Sequence, residues 1–113
     1  MPEQPGVDAV FAALADPTRR VLLDRLSRQG PQNATELGRD TPMSRQAVAK
    51  HLASLEAAGL VTSQRQGREV RYELVRTTVN EATTWLDEVG ARWDERLDAL
   101  KRHLGAPSAR WEP

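Results

Sequence analysis

The chain has 113 residues, enough for one small domain with a single core and too few for two. It contains no cysteine, which excludes disulfides, thiolate metal sites and thiol redox chemistry. No apolar run approaches a bilayer span or the core of a signal peptide, so the expected location is the cytoplasm. Lys and Arg number 16, as do Asp and Glu, and this balance argues against a uniformly basic nucleic-acid binder.

Residues 1–6 are rich in Pro, Gly and Gln and are expected to fray. Between Val7 and Ala15 the residues Val7, Val10, Phe11 and Leu14 recur at helical spacing, which predicts a short amphipathic helix. Asp16-Pro17 then opens a second helix, Asp16 as its cap and Pro17 at the first helical position, where a missing N–H is no loss. That helix is expected to turn Val21, Leu22, Leu23 and Leu26 inward and to end at Gln29-Gly30-Pro31. A brief helix over 34–39 follows, with Leu37 as its main core residue and Thr35 as its candidate cap.

The linker Asp40-Thr41-Pro42-Met43 leads to Ser44, a candidate N-cap, and to a helix that buries Val48, Leu52 and Leu55 and stops at Gly59. Gln46, Lys50, Ala53 and Ala57 fall on its opposite side, flanked by Arg45 and Ala49. Leu60 to Ser63 reads as a strand, and Val70, Tyr72 and Leu74 alternate as a second, with Gln66-Gly67-Arg68 reversing the chain between them. Arg65, Arg68 and Arg71 cluster around this ribbon and its tip.

The last predicted helix carries Val79, Ala82, Leu86, Val89, Trp93, Leu97, Leu100 and Leu104 along one seam, interrupted only by the weak spot Gly90. At a rise of 1.5 Å per residue it spans roughly 40 Å, more than so small a domain can cover, which favours a second subunit. Residues 105–113 read as a flexible tail, Trp111 being the one residue there with something to bury.

The expected fold is therefore mainly α with a small β-hairpin, in the order α-α-α-α-β-β-α. It is a winged helix-turn-helix over 7–104, with a dimerisation helix from about residue 77. The charge is polarised: residues 44–76 hold six basic and three acidic side chains, net +3, whereas residues 77–100 hold two basic and six acidic, net −4. A polar helix N-terminus preceded by a short turn and followed by a basic ribbon is the layout by which such domains enter the major groove. Ser44, Arg45, Gln46, Ala49 and Lys50 are the candidate base contacts: Arg and Lys donate to guanine, Gln pairs with adenine, and Ala49 suits a thymine methyl. His51 lies nearer the buried side and ranks behind them.

Thr35, Arg65, Arg68 and Arg71 are candidate contacts to the DNA backbone. A solvated hairpin whose charges deter edge pairing is the plainer reading of the wing arginines. Double-stranded DNA and a second copy of the chain are the expected partners. No catalytic motif stands out, no cofactor is implied, and an enzyme is not expected.

Leu14-Ala15-Asp16-Pro17-Thr18-Arg19-Arg20, the segment from Ser44 to Leu55 with His51-Leu52, Ala58-Gly59-Leu60-Val61, and Gly67-Arg68 with Tyr72 together resemble the ArsR family of bacterial winged-helix repressors. The resemblance covers nearly all of 7–104. It implies a homodimer built from the first and last helices, so that Val10 and Phe11 join Leu86, Val89, Trp93, Leu97 and Leu100 as interface candidates. It implies the Ser44 helix as reader of bases and repression released by an inducer, whose identity the sequence leaves open. Metal-sensing members carry a Cys-x-Cys pair where this chain has Thr35-Glu36-Leu37-Gly38-Arg39-Asp40, and its last helix offers His103 alone, so no metal site is expected. Two rival readings are a winged-helix protein-interaction module that never touches DNA and a metal-responsive repressor without thiolates.

Overall fold

The computed structural model describes residues 6–105; the stretches 1–5 and 106–113, with the expected frayed start, tail and Trp111, lie outside them. The described residues run α1 (Val7–Leu14), α2 (Pro17–Gln29), β1 (Gln32–Asn33), α3 (Ala34–Gly38), α4 (Arg45–Ala57), β2 (Val61–Gln66), β3 (Glu69–Leu74) and α5 (Arg76–Leu104). The expected order holds, with one strand added.

Local chemistry sets the boundaries. The Asp16 carboxylate accepts the N–H groups of Thr18 (2.7 Å) and Arg19 (3.3 Å), with Pro17 at the start of α2. Ser44 caps α4, its hydroxyl accepting the Ala47 N–H at 3.1 Å. The cap of α3 is Asn33 rather than Thr35. Asn33 has the extended backbone a cap needs, and its side-chain oxygen accepts the Glu36 N–H (2.8 Å) while the Glu36 carboxylate accepts the Asn33 N–H (2.9 Å). Thr35 is already helical and comes too late to cap. In the linker before α4, Asp40 takes a left-handed conformation (φ 63), which Asp tolerates better than most residues.

Gln32 and Asn33 form the strand that sequence periodicity could not show, since two polar residues carry no alternation. They pair antiparallel with Tyr72 and Arg71, giving a three-stranded sheet in the order β1-β3-β2. Strands β2 and β3 pair from Val61 opposite Leu74 to Gln66 opposite Glu69, so the reversal is the two-residue loop Gly67-Arg68, with Gly67 at φ 64. Cross-strand pairing carries β2 to Gln66, three residues past the expected end at Ser63.

Leu22, Leu37, Leu52, Leu55, Leu60 and Val61 are fully buried, and Val10, Ala13, Leu26, Val48, Ala58 and Ala82 complete the core. Two expectations are corrected here. Val21 is 44% exposed, because Leu22 and Leu26 define the inner stripe of α2 and a residue one step away points about 100° aside. Val10, expected at a subunit interface, is buried at 3% in the core of its own chain. Helices α3 and α4 meet closely: a Cβ on Gly38 would stand 3.0 Å from a Val48 methyl.

The chain divides into two compact units, one ending at Ala82 and the other beginning at Thr83. Helix α5 runs unbroken from the first into the second. In the second unit Trp85, Leu86, Val89, Trp93, Leu100 and Leu104 are exposed and Leu97 is half-buried. These apolar positions recur at steps that keep them along one side of the helix.

Candidate nucleic-acid interface

Turning Val48, Leu52 and Leu55 into the core leaves the other side of α4 to solvent. Ser44, Arg45, Gln46, Ala49 and Lys50 are all exposed on it, and they occupy the first two turns. A recess between α3 and α4 is lined by Ala34, Thr35, Gly38, Arg39, Met43, Arg45 and Val48. Arg39 was not among the sequence candidates. Its signal was its place in the turn before the reader helix, which spacing arguments about α4 pass over.

A second recess is lined by Asn33, Ala34, Thr35, Arg68, Glu69, Val70 and Tyr72. Thr35 lines both. The two recesses therefore adjoin at the start of α3 in a strip that has Arg45 and Arg39 at one end and Arg68, with the Glu69 carboxylate, at the other. Arg65 is also exposed on β2, where its Nε–H donates weakly to the Gly67 carbonyl (3.4 Å). Arg39, Arg45, Lys50, Arg65 and Arg68 give this part of the surface its cationic donors, and Gln46 adds an amide able to make paired bonds to a base edge.

Arg71 departs from the expected picture. Its guanidinium donates to the Pro31 carbonyl at 2.6 Å and lies 3.7 Å from the Glu36 carboxylate and 3.6 Å from that of Glu69. It is half-buried and held within the chain, because the pairing of β3 with β1 sets it beside Asn33, the cap of α3. The sequence placed it with Arg65 and Arg68 from its spacing alone.

His51, on the inner shoulder of α4, is half-buried, and its charge acts on the cap of α2. Removal from water pushes the Asp16 carboxyl up. The N–H donations from Thr18 and Arg19, with the positive charges of His51 and Arg19, outweigh that and hold it below the usual carboxylate range. Among the described residues, no three His, Cys, Asp or Glu side chains come together as metal ligands would, and no helix is long and apolar enough to cross a membrane.

A short helix set against a longer, outward-facing one, followed by a two-stranded wing on the same side, defines a winged helix-turn-helix domain. Residues 14–64 match the family described as a helix-turn-helix domain. The chain is 31% identical over 77 residues to the transcriptional repressor SdpR of Bacillus subtilis, covering 68% of this chain and 84% of that protein. An ArsR-like transcriptional regulator from Rhodococcus sp. RHA1 superposes with a TM-score of 0.79 at 45% identity, over 91% of this chain and 94% of that one. A Mycobacterium bovis domain, described as a homodimeric winged helix-turn-helix DNA-binding domain, superposes with a TM-score of 0.61 at 28% identity, over 76% and 78% of the two chains. The chain belongs to the ArsR family of winged helix-turn-helix transcriptional regulators.

Proposed function

We propose that this regulator is a cytoplasmic homodimeric repressor, without enzymatic activity, that binds a pseudo-palindromic operator. In this reading 7–104 is the working domain, and α5 from about residue 77 supplies the dimer contact through Leu86, Val89, Trp93, Leu97 and Leu100. Phe11 on α1 joins them in this role. Ser44, Arg45, Gln46, Ala49 and Lys50 meet base edges in the major groove, while Thr35, Arg65 and Arg68 meet phosphates, joined by Arg39. Two-fold pairing sets the readers about 34–36 Å apart, one helical turn of DNA. A dimer seated on a promoter in this way denies the site to polymerase.

The observation that carries the proposal is the strip from Arg45 across Thr35 to Arg68. It offers donors to one groove and its flanking phosphates. Fluorescence anisotropy with DNA from the regulator's own promoter tests it. Gln46→Ala and Lys50→Ala are each expected to weaken specific binding by about 1–3 kcal/mol, roughly ten- to a hundredfold, with the circular dichroism spectrum unchanged. Absence of wild-type binding would favour a protein-interaction module instead, and unaltered binding in both variants would remove Gln46 and Lys50 from the groove.

A further inference from the structure

Helix α3 has five residues, far too few to persist without tertiary support. The wing, in turn, is a hairpin whose loop end has no apolar anchor. Arg71 touches the supports of both. It is paired in register with Asn33, the cap of α3, across β1 and β3. Its guanidinium bonds the Pro31 carbonyl just before β1 and lies against Glu36, the other half of the α3 capping box. Glu69 lies 3.6 Å from the same guanidinium nitrogen and accepts a 2.6 Å bond from the Asn33 side-chain amide. Wing strand, short strand and helix start are thus tied at one guanidinium.

We infer that Arg71 is a positioning residue that sets the wing against the helix-turn-helix, so that Arg65 and Arg68 reach the duplex, and that it neutralises no phosphate itself. The inference rests on the DNA-binding reading above and assigns one arginine of that surface a different task. Two carboxylates already flank Arg71, so a phosphate would have to displace them. A planar fork with several fixed donors serves a carbonyl and two carboxylates at once, which a lysine ammonium does not reproduce.

The test pairs two measurements on Arg71→Lys and Arg71→Gln, with Arg68→Ala as the reference. The first is operator affinity across a salt series. Arg68→Ala is expected to lower the slope of log K against log salt by about one per protomer, the mark of a lost phosphate contact. Both Arg71 variants are expected to bind roughly tenfold more weakly, the scale of one lost charge-assisted bond, at an unchanged slope, because the bound wing still makes its phosphate contacts and only the cost of ordering it has risen. A phosphate-contacting Arg71 predicts the reverse: Arg71→Lys keeps most of the affinity, and Arg71→Gln reduces the slope as Arg68→Ala does.

The second measurement is amide hydrogen exchange in the free protein. Faster exchange confined to β1, the start of α3 and the β2–β3 hairpin is expected in both Arg71 variants, with α4 unaffected. Wing exchange equal to wild type overturns the inference whatever DNA does. If wild type binds no operator while the variants still loosen the wing, the clamp stands and the DNA reading fails.

Discussion

Asp16 shows how a single cap couples charge to stability. Its folded carboxyl titrates below the ordinary range, so its contribution is fully present above the unfolded value and is lost as pH falls through the folded one. Asn caps helices about as well but carries no charge. Asp16→Asn is therefore expected to remove the acid-sensitive part while keeping α2. In thermal melts between about pH 5 and pH 2 the wild type should lose more of its Tm than the variant does, with the two curves converging at the acid end. Parallel curves would show that the Asp16 charge, with its neighbours Arg19 and His51, is energetically idle.

At the scale of elements, α3 is held from both ends. Arg71 and the capping box secure its start. At its other end Arg25 of α2 donates to the Leu37 carbonyl (3.1 Å) and to the Arg39 carbonyl, two of the acceptors that a helix C-terminus leaves without partners. Between these ends Gly38 lets the helix press on Val48 of α4. Arg25→Ala takes the donor from the carbonyl of buried Leu37 and is expected to cost about 1–3 kcal/mol. Differential scanning calorimetry checks this as a drop in Tm of several degrees, about 4–8 °C for each kcal/mol in a domain of this size. The same substitution loosens the turn that delivers Arg39 and Arg45, so operator affinity falls with it.

For the molecule as a whole, the proposed dimer contact is the exposed apolar side of α5. Trp93 is 60% exposed and Leu100 52% exposed in the single chain, and apolar groups spaced along one side of a helix gain most when a second copy covers them. Trp93→Glu combined with Leu100→Glu is expected to give a monomer in sedimentation equilibrium, with a Tm that no longer rises with protein concentration. Operator binding then drops by about a hundredfold or more, because each half-site is bound without the gain from linkage. A double variant that stays dimeric would remove α5 from the interface.

Helix spans, the caps of α2 and α4 and the hairpin turn were legible in the residues because they rest on contacts within a few positions, whereas the cap of α3 proved to be Asn33 and not Thr35. Asp16-Pro17 opens α2, Ser44 opens α4, and Gly67 reverses the wing, each through bonds or dihedrals that neighbours settle. The outer side of α4 followed from the spacing of Val48, Leu52 and Leu55 alone. What required the folded chain was every pairing over long separation. Gln32 and Asn33 become a strand only because β3 lies beside them, Val10 joins the core only because other elements close over it, and Arg71 leaves the wing's cationic set only because Pro31 and Glu36 arrive next to it. Periodicity records which way a side chain points; which partner waits there is decided by the free energy of closing the chain around it, and no local pattern encodes that.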